Sequence, residues 1–297
     1  MVRHWAGAAG GLGATLGLNI RRHVRRHCRS PNVRGKTGTM EPGISGPAGY
    51  VEWTAPLPLR RYVVCSWTGG LRSGGAGPPE PVLPDGCMDI IWDGERLFVA
   101  GPDTVPNPTA AEGPFVVGVR FQPGMGPRFL GVPADELRDR RVDLDWLWTD
   151  AGVVAEELAA RSTLRHAAAV LEARILRQVP AMKAPDPVVA AAVGLWRRGS
   201  ATADIAGLAE RAGITERQLH RRFVQGVGYG PKLLQRVLRF QTFLAACSSP
   251  LASLAELAFQ AGYADQAHLS RETRSLAGRT PAELRAARLR VRNVQDA

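Results

Sequence analysis

The chain has 297 residues, of which 45% are hydrophobic and 22% charged, and its formal net charge is +11. This length suggests about two domains, and this composition supports ordinary hydrophobic cores, which excludes a disordered polyelectrolyte. The charge is unevenly distributed: residues 1–39 contribute +8, residues 40–185 contribute −4 and residues 186–297 contribute +7. The basic C-terminal third is therefore the candidate for binding an anionic partner.

The N-terminal residues have the composition of a tail. Residues 1–39 contain eight basic and no acidic side chains. Their glycines follow no predicted strand and miss the GxGxxG spacing of a nucleotide-binding loop. We expect residues 1–47 to form a disordered basic tail, and organised sequence begins so soon after Met40 that this methionine is an alternative translation start.

Cysteine usage and hydropathy exclude further classes of protein. The cysteines are Cys28, Cys65, Cys87 and Cys247. They are far apart and form no CxxC pair, which argues against a disulfide scaffold or a zinc finger and favours a reduced cytosolic chain. No apolar run approaches the ~20 residues that span a bilayer, so we expect a cytoplasmic protein without membrane contact.

The region from about residue 49 to residue 141 consists of short β-prone runs separated by Gly and Pro. The predicted strands are Tyr62–Trp67, Met88–Trp92, Leu97–Ala100 and Phe115–Phe121. Asp93-Gly94 between the second and third strands predicts a hairpin, because both residues tolerate the positive φ of a tight turn. The regular turn spacing predicts a small β-barrel or sandwich with flanking helices.

Helical patterns dominate the rest of the chain. Pro133–Leu137 predicts a helix start, with an early proline and acidic residues in the first turn. Asp150–Gln178 predicts one or two helices, and prolines between residues 180 and 187 mark a linker. Asp186-Pro187 predicts a capped new helix, and residues 186–290 are predicted to be all-α. The fold class is therefore α+β.

One pattern occurs twice in this C-terminal region. Ile205–Ile214 and Leu254–Tyr263 are each an amphipathic helix, a glycine and an apolar residue, 49 positions apart. Gly213 and Gly262 stand where a helix ends in a left-handed cap, and a second, more polar helix follows each of them. This arrangement is typical of a helix-turn-helix, whose second helix enters the major groove.

The repeated motifs resemble the AraC/XylS family of bacterial transcription regulators. The match rests on Ala258–Tyr263, Asp265–Arg271 and Gly278–Arg285, with Gly230–Lys232 and Arg236–Phe240 adding to it. The resemblance covers about residues 186–290. It implies two helix-turn-helix subdomains, joined by a long helix over about Pro231–Ala246, with both recognition helices on one face of bent DNA.

The resemblance also assigns roles by position. It implies DNA contacts from Arg217, His220 and Arg221 in the first recognition helix, and from Gln266, Ala267, Ser270 and Arg271 in the second. Lys232 and Arg239 are expected to contact phosphate. In the recognition helices, an arginine can pair with guanine and a glutamine with adenine. This chain departs from the family at Thr273, where an aromatic residue is usual, so the second subdomain is expected to have the thinner core.

Some basic residues have alternative interpretations. Arg222 is either a DNA contact or a solvated surface arginine, and Arg211 and Arg236 are expected to be phosphate or surface charges. His268 either approaches the phosphate backbone or packs between helices. The apolar residues Leu219, Phe223 and Leu269 have core spacing and no expected contact with bases.

The N-terminal region resembles, less specifically, a sensor-type domain fused to such regulators. Val82–Trp92 and Gly118–Gly124 carry the match, which implies effector binding or dimerisation by a domain at residues 48–180. Trp67, Asp85 and Trp92 are candidate effector contacts. The alternatives are that the tryptophans, with Trp53, form simple core, and that Asp85-Gly86 forms a turn.

An enzymatic function is not expected. Residues 40–165 contain no histidine, which argues against a metal-binding β-barrel enzyme and against a Cys or Ser nucleophile with a nearby base. We therefore predict no catalytic residue, no cofactor and no metal site.

The predicted function is sequence-specific DNA-binding transcription regulation, modulated by a small molecule or by dimerisation. The expected partners are the major groove of double-stranded DNA, an effector, RNA polymerase and a second copy of the chain, with a location at the nucleoid. One rival is a fusion with a DNA-alkyl-transfer domain, which needs a cysteine-rich metal site. Another is an interaction module that has lost DNA binding, against which Arg217, Arg221, Gln266 and Arg271 argue.

Overall fold

A computed structural model describes residues 50–70, 81–108, 115–182, 184–198, 204–247, 249 and 251–295, without the side chains of residues 290–295. The predicted basic tail at residues 1–47 and the alternative start at Met40 lie outside these residues. The described chain combines an N-terminal sheet with a helical C-terminal region, so the α+β class is confirmed.

The N-terminal region is built on one antiparallel sheet of six strands in the order β1-β2-β5-β3-β4-β6. The strands are β1 (Val51–Thr54), β2 (Val63–Gly70), β3 (Met88–Trp92), β4 (Leu97–Ala100), β5 (Phe115–Phe121) and β6 (Arg141–Asp143). The bounds of β3, β4 and β5 are those predicted from the sequence. The region that was predicted to be a small barrel or sandwich is a single six-stranded sheet, and β1 and β6 are its edge strands.

The two faces of the sheet differ in character because alternate side chains point in opposite directions. The helices of this region are α1 (Gly126–Leu130), α2 (Ala151–Ala159) and α3 (Leu164–Gln178). The apolar face, which includes Ile90, Val119 and Phe121, is buried, and α3 packs against β2 and β5. The opposite, polar face carries Asp89 and Arg120 on neighbouring strands. This polar face is the part of the N-terminal region where charged side chains converge.

The helix expected to begin at Pro133–Leu137 forms only a short 3₁₀ turn, Ala134–Glu136. The chain cannot continue as a helix because Asp139 adopts φ 57°. The Asp139 carboxylate accepts hydrogen bonds from the backbone N–H and the hydroxyl of Thr104 at 2.6 and 3.0 Å. These bonds turn the chain toward β6, so a long-range contact overrides the local helical signal.

The C-terminal region is helical throughout its described residues. Its helices are α4 (Pro187–Arg197), α5 (Ile205–Arg211), α6 (Glu216–Val227), α7 (Pro231–Ala246), α8 (Leu254–Gln260), α9 (Gln266–Ala277) and α10 (Pro281–Gln295). Asp186 caps α4 by accepting the backbone N–H groups of Val188 and Val189, as predicted. A shared core includes Trp196, Phe223 and Phe240. None of the described helices is long and apolar enough to cross a membrane.

The sequence repeat corresponds to two three-helix units, α5–α7 and α8–α10. The first helices, α5 and α8, have seven residues each, and the second helices, α6 and α9, have twelve each. Gly213 and Gly262 have φ values of 62° and 79°, which confirms the left-handed turns. The turns differ in length, because Asp265 caps α9 three residues after its glycine whereas Thr215 caps α6 two residues after its own.

Candidate nucleic-acid interface

The first recognition helix, α6, has one apolar and one cationic face. Leu219, Phe223 and Val227 are buried at four-residue spacing. Arg217 and Arg221 are exposed, and at about 100° per residue they lie opposite that buried row. The helix therefore presents two guanidinium groups, one turn apart, away from the core.

Two other basic residues of α6 have intramolecular contacts. The imidazole of His220 lies against the turn that follows the helix, so close that a Cβ at Gly230 would be 2.5 Å from its Cε1 atom. Arg222 lies 3.6 Å from the carboxylate of Asp186 at the start of α4. His220 is still exposed beside the arginine face, whereas Arg222 links two helices.

The second recognition helix, α9, repeats this arrangement with fewer charges. Its buried row includes Leu269, Thr273 and Leu276. Gln266, Ala267 and Arg271 are exposed, and Ser270 is half-buried with its hydroxyl donating to the Gln266 carbonyl at 2.9 Å. Thr273 fills the position where the family usually has an aromatic residue, and it is fully buried with its hydroxyl bonded to the Ser270 carbonyl.

Arg274 is a candidate contact that the sequence interpretation missed. It is exposed, and its position three residues after Arg271 places it on the same side of α9. The i, i+3 spacing of two arginines was the available signal. The cationic face of α9 thus extends one turn further along the helix than predicted.

The basic residues of the long helix α7 have different surroundings. Lys232 is exposed in its first turn. Arg236 donates to the Glu272 carboxylate at 2.8 Å, which makes it a link between α7 and α9. The guanidinium carbon of Arg239 lies 5.5 Å from the centroid of the Tyr263 ring.

His268 has the packing environment that was one of its two interpretations. Its Nδ1 atom accepts the Ala264 backbone N–H at 3.4 Å, and its ring meets Tyr263 edge to face at 5.2 Å. These contacts hold the turn before α9. His268 and Arg239 therefore approach the same tyrosine from two different helices.

The comparisons with known proteins agree with this geometry. A family model described as a helix-turn-helix domain matches residues 208–287. A Streptomyces lividans protein described as an AraC-like transcription regulator is 26% identical over 216 residues, which cover 65% of this chain and 70% of that protein. The C-terminal region is a helix-turn-helix domain, and the chain is similar to an AraC-like regulator. The description of that relative is of a transcription regulator and not of an enzyme.

Other similarities extend beyond the helix-turn-helix domain. A second family model, a domain of unknown function (DUF6597), matches residues 52–143. A crystal structure of apo ToxT from Vibrio cholerae has 10% identity and a TM-score of 0.41, over 74% of this chain and 96% of that one. An unsaturated-fatty-acid-bound ToxT structure from the same organism has 10% identity and a TM-score of 0.39, over 70% and 89%.

The candidate effector residues lie on different faces of the sheet. Trp67 and Asp85 belong to the polar face, where Arg120 lies 5.9 Å from the Trp67 ring centroid and 3.4 Å from the Asp85 carboxylate. Trp92 is 1% exposed on the apolar face and lies against Phe115. The structure therefore brings Trp67 and Asp85 together but separates both from Trp92.

The polar face concentrates three carboxylates around one cation. Arg120 lies 3.2 Å from Asp89 and 3.3 Å from Glu52, in addition to its contact with Asp85. Burial raises the pKa of Asp89 to about 6, although the neighbouring Arg120 guanidinium opposes the shift. Among the described residues, no group of three His, Cys, Asp or Glu side chains is placed to hold a metal ion.

Proposed function

We propose that this AraC-type regulator binds DNA sequence-specifically by placing α6 and α9 in successive major grooves. The observation that carries the proposal is the exposed pair Arg217 and Arg221, opposite the buried row of α6. Such arginines are free of the apolar core and available for bidentate pairing with guanine. In α9 the corresponding face offers Arg271 with Gln266, Ala267 and Ser270 beside it.

Phosphate contacts position the domain on the duplex. The net charge of +7 over residues 186–297 supports this contribution. Lys232 is the strongest candidate on α7 because its ammonium group is exposed in the first turn. His220 and Arg239 complete the proposed interface, where each also supports a neighbouring turn or ring.

The N-terminal region, at residues 48–180, is proposed to bind a small-molecule effector or to mediate dimerisation, and residues 186–290 form the DNA-binding domain. Trp67 and Asp85 on the polar face are the proposed effector contacts, with Trp92 supporting the sheet from its apolar face. RNA polymerase and a second copy of the chain are the further proposed partners, and the nucleoid is the proposed location.

Selection of bound duplexes from a random-sequence library tests this function. Arg217→Ala and Arg271→Ala should each relax base preference at one position, with a loss of about 1–3 kcal/mol of discrimination there. Arg222→Ala is the matched control, because it removes the same charge from α6 but from a side chain that pairs with Asp186. Identical selected motifs for the wild type and both test variants would reject the assignment.

A further inference from the structure

The sheet region contacts the first helix-turn-helix unit through a short segment, the docking loop Leu83–Cys87. The Pro84 carbonyl accepts a hydrogen bond from the Gln241 side-chain amide of α7 at 2.6 Å. Leu83 packs against the helical core. Gly86 has φ +83°, and a Cβ there would lie 2.9 Å from Leu234 Cδ1. The loop therefore approaches α7 so closely that a side chain at Gly86 would displace the Leu234 side chain.

A second contact fixes the other side of the same corner. Arg138 donates to the Gly228 carbonyl, just after α6, at 3.2 Å. A Cβ at Gly228 would lie 2.6 Å from Pro102 Cγ, and the 3₁₀ turn Ala134–Glu136 packs against α6. The sheet region thus holds the C-terminal end of α6 and one side of α7. The N-terminal half of α6, with Arg217 and Arg221, remains exposed.

Tyr229 lies at the centre of this contact. It is 2% exposed, and its hydroxyl has no hydrogen-bond partner among the described residues. The hydroxyl lies 3.5 Å from the position that a Cβ of Gly86 would take. A buried hydroxyl without a partner costs free energy, so the contact is weaker than its close packing alone would make it.

The docking loop is also tied to the polar face of the sheet. Asp85 accepts the Cys87 backbone N–H at 2.8 Å and lies 3.4 Å from Arg120. One residue of the loop thus contacts the arginine around which the carboxylates gather, and the next, Gly86, touches α7. Two adjacent residues, Asp85 and Gly86, therefore lie between Arg120 and α7.

We propose that the docking loop is a positioning element for DNA binding. By holding the corner between α6 and α7, it fixes the first recognition helix before DNA arrives, which lowers the ordering cost of binding. Gly86, Tyr229 and Gln241 are the positioning residues, and they act through α6 and α7 rather than by touching DNA. The effect on DNA rests on the proposed function, whereas the docking itself does not.

A pair of glycine variants of the full chain tests the proposal. Gly86→Ala introduces a Cβ against Leu234, whereas Gly131→Ala introduces one at φ +75° with nothing within 4 Å. Both variants pay the strain of a left-handed backbone. We expect Gly86→Ala to weaken binding to a duplex selected by the wild type by about fivefold or more. It should also speed hydrogen exchange in residues 229–241, while Gly131→Ala changes neither measurement.

A pair of tyrosine variants tests the same contact in the opposite direction. Tyr229→Phe removes the buried hydroxyl and should slow hydrogen exchange in the docking loop by about threefold or more. Tyr263→Phe is the matched control, since Tyr263 is equally buried in the second unit and its hydroxyl also has no described partner. Exchange in the docking loop should be unchanged in Tyr263→Phe.

Two outcomes overturn the proposal. One is that Gly86→Ala matches Gly131→Ala in both DNA affinity and exchange at residues 229–241. The other is that Tyr229→Phe speeds exchange in the docking loop. If the wild type selects no preferred duplex, the proposed function fails, and the exchange measurements on the free protein still decide whether the loop holds the corner.

Discussion

Asp89 shows how a single residue makes the sheet sensitive to pH. Its carboxyl group is mostly buried on the polar face, where Arg120 is shared with Asp85 and Glu52. One guanidinium cannot compensate the desolvation of several carboxylates, so burial dominates and the Asp89 pKa rises to about 6. Between these two values, the folded form therefore holds a proton on Asp89 that the unfolded form, with an ordinary pKa of 3.8, has lost.

This proton predicts a stability change with a definite sign. The contribution of Asp89 is fully present below about pH 4 and is lost as the pH rises through 6, because the folded form must then ionise a buried group. We expect the free energy of unfolding to fall by about 1–3 kcal/mol over that interval. Asp89→Asn should flatten the fall in urea denaturation series at several pH values.

Asp150→Asn is the control for that measurement. Arg174 holds the pKa of Asp150 below its usual value through a hydrogen bond of 2.6 Å, so Asp150 contributes stability that is lost as the pH falls. This variant should keep the decline between pH 4 and pH 6. A decline of equal size in Asp89→Asn and the wild type would contradict the assignment to Asp89.

At the level of elements, the recognition helix α6 depends on its first turn. The Thr215 hydroxyl accepts the Gln218 backbone N–H at 3.2 Å, and the Gln218 side chain accepts the Thr215 N–H at 2.8 Å. These reciprocal bonds satisfy backbone donors that the helix itself leaves unpaired. Arg217 stands inside this turn, so the cap also orders a proposed DNA contact.

Loss of the cap should therefore be measurable. Thr215→Ala is expected to lower the free energy of unfolding by about 1 kcal/mol, because one backbone N–H loses its acceptor. Thr215→Ser keeps the hydroxyl and should retain most of the stability. Chemical denaturation of the three proteins gives the comparison, and equal stability of the Ala and Ser variants would show that the cap contributes nothing.

The helices were predictable from sequence because their signals are local. Asp186-Pro187, Gly213 and Gly262 each act within a few residues of the boundary they set. The helix start predicted at Pro133–Leu137 rested on an equally local pattern. It is overridden by the hydrogen bond between Asp139 and Thr104, which are 35 residues apart in the chain. Long-range contacts also determine which candidate residues lie together. No local pattern predicts that Trp92 and Trp67 lie on different faces of the sheet, or that Pro84 contacts Gln241.

The charge of the whole molecule is distributed very unevenly along the chain. Residues 40–185 carry −4 and residues 186–297 carry +7. Within the basic part, Arg222 and Arg236 are paired with Asp186 and Glu272. These two pairs cancel within the net charge, so the net charge does not tell which of the remaining cations phosphates can reach.

The salt dependence of DNA affinity distinguishes cations that contact phosphate from those that do not. Lys232→Ala should weaken binding to all duplexes similarly and make the slope of log affinity against log salt shallower by about one. Arg96→Ala is the control, because it removes the same charge from the sheet region, where Arg96 lies 3.4 Å from Asp93. Affinity titrations at several salt concentrations give the slopes, and equal slopes for the two variants would remove Lys232 from the interface.

The turn before α9 is one residue longer than the turn before α6. The two recognition helices therefore correspond residue for residue at a spacing of 50 positions and not at 49. Glu216 and Gln266 begin helices of equal length, and Gly228 and Gly278 end them, each pair 50 positions apart. A graft of α6 onto α9 at that spacing would superimpose the buried rows. At the 49-residue spacing of the preceding helices, every transplanted side chain would rotate by about 100°, which would place His220 at the buried position of Leu269. Engineered regulators that exchange DNA preferences between the two units must therefore respect the insertion.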